Sequence, residues 1–340
     1  MENVRRVLES YQVYPIDINK VTSRVYHVKG NKQQSYALKK GSIQDKSLPF
    51  WLEIYRIAQT QNLQNILPVY LNQSGNLYSM DGNDVYYLTP WIESHNRNHS
   101  IEKIYQNLGL IHAKTRKVQS LSNEMRESSR ENFLVYKKKV GELRKKLLNH
   151  VEQFEAQHFM SPVELLVCTQ YRDLVQVFYV LERRLNQYLE SLEDITEWKV
   201  SLCHGKLKDS HVLHGNQLYF INWEHATYQH PIMDLAMIIK DKTLYFDTDK
   251  RLLLDKLKVY TEENILENHE LTLLAIYLLD PERYLQTIDN YVNKNSEDNT
   301  IDYVIKLQRY HRQVLFGVHF SEFVEEEFEM VSLDESGSES

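Results

Sequence analysis

Two apolar stripes in the middle of the chain leave little freedom in how it can fold. Phe133, Tyr136, Val140, Leu143, Leu147, Val151 and Phe154 follow one another at steps of three or four residues. After a short break, Val167, Tyr171, Leu174, Phe178, Leu181, Leu185, Tyr188 and Leu192 alternate strictly between steps of four and three. Residues three and four apart share a helix face, so each set defines one buried side of a long helix. Neither helix can bury its stripe alone, and the spacing predicts a helical hairpin packed along itself. Ser161-Pro162-Val163-Glu164 reads as the capping box that opens the second helix, with proline at its first position. The opposite side of the first helix carries Lys137, Lys138, Lys139, Arg144, Lys145 and Lys146, the composition of a solvated face.

Before the hairpin the periodicity is different. Residues 3–11 fit a short helix; Val21–Val28, Ser35–Lys39, Leu67–Leu71, Leu77–Met80 and Val85–Leu88 read as strands; Pro49 opens a helix reaching about Gln61. That order predicts a small antiparallel five-stranded sheet with one helix, an N-lobe over residues 1–91. Residues 92–321 read as a helical C-lobe, interrupted at Leu202–Ala226 by a compact segment containing a hairpin around Gly215-Asn216-Gln217.

Charge marks a third region. Eight acidic residues and no basic one lie between Glu322 and Ser340; removing them from the net charge of −7 leaves the rest of the chain near +1. Residues 322–340 therefore read as an acidic, disordered tail. The near-neutral body offers no electrostatic footprint for nucleic acid, and no apolar run is long enough to span a membrane. The N-terminus lacks a signal-peptide core, which predicts synthesis in a cytoplasm. Cys168 and Cys203 form no C-x-x-C pair and read as two buried thiols.

Three blocks in order carry a resemblance: Leu202-Cys203-His204-Gly205-Lys206-Leu207-Lys208-Asp209-Ser210-His211-Val212-Leu213, then Phe220-Ile221-Asn222-Trp223-Glu224-His225-Ala226, then Pro231-Ile232-Met233-Asp234-Leu235-Ala236. Together they resemble the H-G-D-x(4)-N-V-L, I-D-W-E-x-A and P-x-x-D-L-A motifs of the aminoglycoside/choline phosphotransferases. The implied fold is α+β, bilobal and protein-kinase-like, over roughly residues 15–320. Tyr36-Ala37-Leu38-Lys39 resembles the strand whose lysine contacts nucleotide phosphates, with Glu53 on the next helix as the implied ion-pair partner. Within the superfamily the chain is most similar to the spore-coat kinase-like (CotS-type) family, through Leu67-Pro68-Val69-Tyr70 and Leu88-Thr89-Pro90-Trp91-Ile92 among others.

Phosphoryl transfer of this kind needs a carboxylate at the attacking hydroxyl and oxygen ligands for Mg²⁺. The resemblance assigns the catalytic aspartate position to Lys206, the metal-binding asparagine to His211 and the metal-binding aspartate to Asn222. A lysine ammonium cannot accept a proton near neutrality, and imidazole nitrogen is a poor ligand for a hard cation. Two residues could rescue a metal or base: Glu224, placed on the same side as Asn222 by an extended backbone, and Asp209 in the loop. Relatives carry glutamate at the Glu224 position beside an intact aspartate, which implies a structural role. His204 is read as a packing and hydrogen-bonding residue, and Asp234 as a structural one.

The resulting expectation is a non-catalytic pseudokinase, not an enzyme, acting as a structural or scaffolding part of the bacterial spore coat. Its partners would be other coat proteins, and it would be made in the mother-cell cytoplasm before deposition on the spore. No cofactor is expected; ATP with Mg²⁺ is the disfavoured alternative, since no glycine between Ile18 and Val28 offers a phosphate-cradling loop. Two alternatives stand beside this reading. One is a small-molecule kinase with altered metal ligands. The other is a module binding a small anionic ligand or a peptide in a positive cleft formed by Lys39 and Lys206.

Overall fold

The computed structural model describes residues 2–31, 34–43, 46–93, 100–294 and 297–329. The chain opens with α1 (Glu2–Ser10), strands β1 (Pro15–Lys20), β2 (Val25–Gly30) and β3 (Ser35–Lys40), α2 (Leu48–Thr60), β4 (Ser79–Asp81), β5 (Asp84–Pro90) and α3 (Ile101–Thr115). Next come β6 (Lys117–Ser120), α4 (Asn123–Glu155), α5 (Pro162–Ser191), β7 (Glu197–Cys203), β8 (Val212–His214), β9 (Leu218–Phe220) and β10 (Thr227–Gln229). Six helices complete it: α6 (Ile232–Thr243), α7 (Lys250–Asp255), α8 (Leu257–Glu263), α9 (Asn268–Leu279), α10 (Glu282–Asn293) and α11 (Thr300–Val324). They form two compact units, Met1–Thr115 with Ser201–Gln229, and Arg116–Val200 with His230–Ser340. This is the kinase-like fold that the motifs imply, an antiparallel sheet near the N-terminus followed by helices.

In the first unit the sheet order is β1-β2-β3-β5-β4, all neighbours antiparallel. Period-two alternation gives it two different faces. Val28, Leu38, Tyr86 and Leu88 point to one side, where Val4, Val7, Leu8 and Tyr11 of α1 and its exit turn cover them. The other side is packed by α2 through Trp51, whose ring lies 5.2 Å from Tyr87. The β8–β9 hairpin joins this unit through the segment after α2: Phe220 donates its N–H to the Asn65 carbonyl and accepts from Leu67 N–H, while the Asn65 side chain donates to Leu218.

The second unit is built on the predicted hairpin. Val140, Leu147, Val151 and Phe154 of α4 are buried, as are Val167, Leu174, Phe178, Leu181, Leu185 and Tyr188 of α5. The capping box is present: Glu164 N–H donates to Ser161 Oγ, and Ser161 N–H to the Glu164 carboxylate. Where α11 packs on α9, Gly317 lies so close that a Cβ there would stand 2.8 Å from the Leu278 carbonyl carbon.

Several expectations need correction. The Leu67–Leu71 segment lies outside the strands, and β1 supplies the fifth strand instead. Its Ile-Asp-Ile-Asn alternation is too short and polar to stand out, and pairing with β2 decides it. The lysine-rich face of α4 is partly engaged: Lys139 and Lys146 pair with Glu282 and Asp289 of α10 at 2.8 and 2.6 Å. The acidic stretch expected to leave the fold at Glu322 stays helical through Glu329. The fully buried Arg184 explains this, donating to Ser321 Oγ and the Ser321 carbonyl at 2.6 Å and to Glu325 at 2.9 Å. A guanidinium stripped of water needs such acceptors, and the acids supply one. Residues 330–340 of the expected tail, and residues 94–99 and 295–296, lie outside the described residues. Cys203 is buried but Cys168 only half-buried. Among the described residues no helix is long and apolar enough to cross a membrane.

Gly317→Ala should cost about 1–3 kcal/mol, because α9 must move away from α11 to admit a methyl group beside backbone. Urea unfolding monitored by circular dichroism would read this as a lower midpoint at unchanged slope.

Candidate functional site

Strand register gathers one set of side chains on the sheet face opposite α1. Val25 pairs with Lys39 across β2–β3, and Lys39 with Tyr87 across β3–β5; Ala37 pairs with Thr89. Cross-strand partners point the same way. These five residues line a cavity of about 340 Å³ within the first unit. Leu67, Trp91, Ile92, Leu213, Asn222 and Trp223 supply more of its wall. The lining is mostly apolar with a few polar groups, the usual make-up of a small-molecule pocket.

Glu224, itself outside the lining, holds two of the residues that form it. Its carboxylate accepts from the Tyr87 hydroxyl at 2.6 Å and lies 3.5 Å from Lys39 Nζ. Burial raises the Glu224 carboxyl, but Lys39 and Tyr87 outweigh it and hold it below the ordinary glutamate value. Burial likewise draws Lys39 below the usual lysine value, against the pull of Glu224. The partner of Lys39 is thus Glu224, where the sequence reading placed Glu53. Glu53 sits on α2 beside Arg56 and is ion-paired to it one turn away.

The route by which Glu224 arrives also differs from expectation. Asn222 is left-handed (φ 71°, ψ 50°) and Trp223–His225 form a 3₁₀ turn, so the backbone is not extended. A second tight turn stands against it. Gly205 has φ +75°, and a Cβ there would meet the His225 carbonyl oxygen at 2.1 Å, so only glycine fits.

His204, Lys206, Asp209 and His211 are arranged around these turns. His204 is fully buried; its Nε2 donates to the Ile221 carbonyl at 2.7 Å and its Nδ1 accepts from Lys206 N–H. Its ring lies 5.1 Å from Trp223 and stacks on His211 at 5.2 Å. Lys206 itself is exposed and does not line the cavity. Asp209 opens the 3₁₀ turn Asp209–His211. Burial, then the neighbouring His204 and Lys39, push His211 down to about 4, so it is a neutral imidazole at physiological pH. Asp234 lies in the other unit, fully buried in the first turn of α6.

These donors do not suit a hard divalent cation. His211 offers nitrogen and Asn222 an uncharged amide, while the Glu224 carboxylate is already held by a lysine and a phenol. The turn between β1 and β2 is equally unsuited to phosphate. Val21 and Thr22 N–H donate to the Val25 carbonyl, and Arg24 and Val25 N–H to Thr22 Oγ1. Amides that would cradle an anion are used inside the turn. Sequence reasoning missed the roles of Thr22 and Tyr87. The clue for Tyr87 was its position opposite Lys39, visible only once register is known.

Two measurements follow from this geometry. Glu224→Ala leaves a largely buried ammonium without its carboxylate, so stability should fall by about 2–3 kcal/mol, while the Lys39→Met/Glu224→Met pair should regain most of it. His211 is depressed in the folded state from 6.5 to about 4, so the unfolded chain takes up the proton first as pH falls. Stability is thus lost between about pH 6.5 and pH 4, and His211→Asn should lose roughly 2 °C less in Tm over that interval than the parent protein.

Comparisons with known proteins agree with this architecture. An aminoglycoside phosphotransferase from Alicyclobacillus acidocaldarius subsp. acidocaldarius DSM 446 superposes with a TM-score of 0.72 at 17% identity, covering 96% of each chain. The AMP-bound spectinomycin phosphotransferase APH(9)-Ia gives 0.58 at 14% identity, over 93% of this chain and 98% of its own. Amicoumacin kinase hAmiN, in complex with AMP-PNP, Ca²⁺ and Ami, gives 0.53 at 14% identity over 92% of both. At such identities the likeness is one of fold. No curated protein matches the sequence. The sequence profile of the phosphotransferase enzyme family (APH) matches residues 17–270, three quarters of the chain, and the chain belongs to that family.

Proposed function

We propose that the protein is a pseudokinase of the phosphotransferase enzyme family: it keeps the ligand cleft and does not transfer phosphate. The observation that carries this reading is an open cavity of about 340 Å³ whose lining includes Asn222 and Lys39, with His211 and the lysine-bound Glu224 near these residues, a donor set unfit for magnesium. Where the resemblance implies a general base there is the exposed ammonium of Lys206; where it implies metal ligands there are a neutral imidazole and an amide. Losses within one cooperative catalytic unit do not add simply, but any one of them alone lowers rates by orders of magnitude.

The spore-coat assignment rests on the resemblance to the CotS-type family. On that basis we assign the protein a structural or scaffolding role among other coat proteins, after synthesis in the mother cell. The alternative of a small-molecule kinase is favoured by the cleft alone, since an open cavity is what a nucleotide would need. The anion-binding alternative loses its two cations: Lys39 is paired with Glu224, and Lys206 lies outside the lining.

Purified protein given γ-labelled ATP with Mg²⁺ or Mn²⁺ should release and transfer no label above a protein-free control. Enzyme-like turnover on any hydroxyl acceptor would overturn the proposal. Rebuilding the ligands as Lys206→Asp/His211→Asn/Asn222→Asp should create an Mg²⁺-dependent rise in Tm that the parent lacks. Extracts of purified spores, probed with antibody, should hold the protein in the coat fraction; its restriction to the mother-cell cytosol would remove the scaffold role.

A further inference from the structure

We infer that the cleft of the first unit takes an uncharged heteroaromatic ligand of the nucleoside class, without phosphates and without a metal ion. The inference rests on the reading of the cleft as a retained ligand site.

A nucleoside triphosphate brings several negative charges that a protein must compensate once water is removed. Kinase-type sites do so with three devices: a lysine, a ring of backbone N–H groups and magnesium. A lysine–glutamate pair is compatible with bound ATP in such sites because the metal ions carry the charge. Here the pair stands without them. Lys39 and Glu224 sum to zero charge, and any phosphate reaching Lys39 Nζ would sit beside a carboxylate oxygen only 3.5 Å away. The second device is missing because Val21, Thr22, Arg24 and Val25 have turned their N–H groups inward, onto the Val25 carbonyl and Thr22 Oγ1. The third has no suitable ligands. Lys206 is exposed and outside the lining, and Arg24 is exposed, where a cation contributes little.

The rest of the cavity is mostly apolar and includes the rings of Tyr55, Tyr87, Trp91 and Trp223, against which a heteroaromatic ring can pack. Val25 and Ala37 from the sheet face and Leu67, Ile92, Leu213 and Trp223 from elsewhere line it. At about 340 Å³ it lies at the small end of ligand pockets, which run from roughly 300 to 1,000 Å³. One polar atom indicates what the ligand must offer. Asn222 lines the cavity, and its side-chain oxygen is buried with no hydrogen-bond partner among the described residues. That oxygen accepts and cannot donate. Ionised phosphate is likewise acceptor-only, so it could take only the N–H₂ of the Asn222 amide and would leave this oxygen unsatisfied; a sugar hydroxyl would donate to it.

The test is a comparison of affinities by calorimetry on the full chain, using adenosine, guanosine, ATP and ATP with Mg²⁺. One nucleoside should bind at least as tightly as ATP, and Mg²⁺ should change the ATP affinity by less than about twofold. Glu224→Gln, which unpairs Lys39, should shift the preference toward ATP by about tenfold, and Asn222→Leu should weaken nucleoside binding by about five- to tenfold. The wild-type comparison needs no variant and decides the matter if either fails to fold. ATP binding tenfold tighter than both nucleosides, or only with Mg²⁺, would overturn the inference. So would the absence of nucleoside binding at about 1 mM. Either result could coexist with a null phosphotransfer assay, so this inference can fail while the loss of catalysis stands; turnover of ATP would remove both.

Discussion

A carboxylate taken out of water must find a cation or hydrogen-bond donors, and in this fold Glu224 finds one of each on two neighbouring strands. Lys39 of β3 and Tyr87 of β5 reach it from the same sheet face because register sets them side by side. The contact ties the sheet to the short turns around Asn222, whose left-handed backbone and following 3₁₀ turn bring Glu224 round. Those turns in turn require Gly205, whose missing side chain leaves room for the His225 carbonyl. His204 closes the arrangement from beneath, bonded to both the Ile221 carbonyl and the Lys206 N–H. The motif residues thus form one packing and hydrogen-bonding assembly around these turns.

Much of this was legible in the sequence, for reasons that differ by element. The stripes of α4 and α5 could be read because a 3.6-residue period repeated over many turns admits few other structures. The hairpin of β8 and β9 announced itself through Gly215-Asn216-Gln217 between Val212-Leu213-His214 and Leu218-Tyr219-Phe220. The family could be read because three short motifs occur in order. What failed was whatever depends on long-range pairing. β1 is polar and short, and only β2 makes it a strand. Glu53 looked like the natural partner of Lys39 because it follows on the next helix. Yet a salt bridge is chosen by geometry in space, and Arg56 lay one helical turn away. The helical continuation past Glu322 depends on a buried arginine 137 residues earlier in the chain, beyond the reach of any local pattern.

The same contrast separates the two halves of the functional reading. Which residues stand at the motif positions is a statement about residue types, and Lys206, His211 and Asn222 can be read without coordinates. The presence of a cavity is a statement about space, and only the fold could make it. The electrostatic consequence needs both. A neutral ion pair, a neutral imidazole and an amide in one region are compatible with a buried apolar ligand, and with little that carries charge.

The turn closed by Thr22 bears on time as well as affinity. In many kinases the corresponding loop is loose until nucleotide orders it, and that ordering both weakens binding and traps what has bound. Here the loop is already stitched to itself by four internal amides. A guest meets a turn whose amides are bonded before it enters, so less ordering accompanies its arrival. The residence of a guest would then be set by contact with the walls alone, and exchange should be rapid.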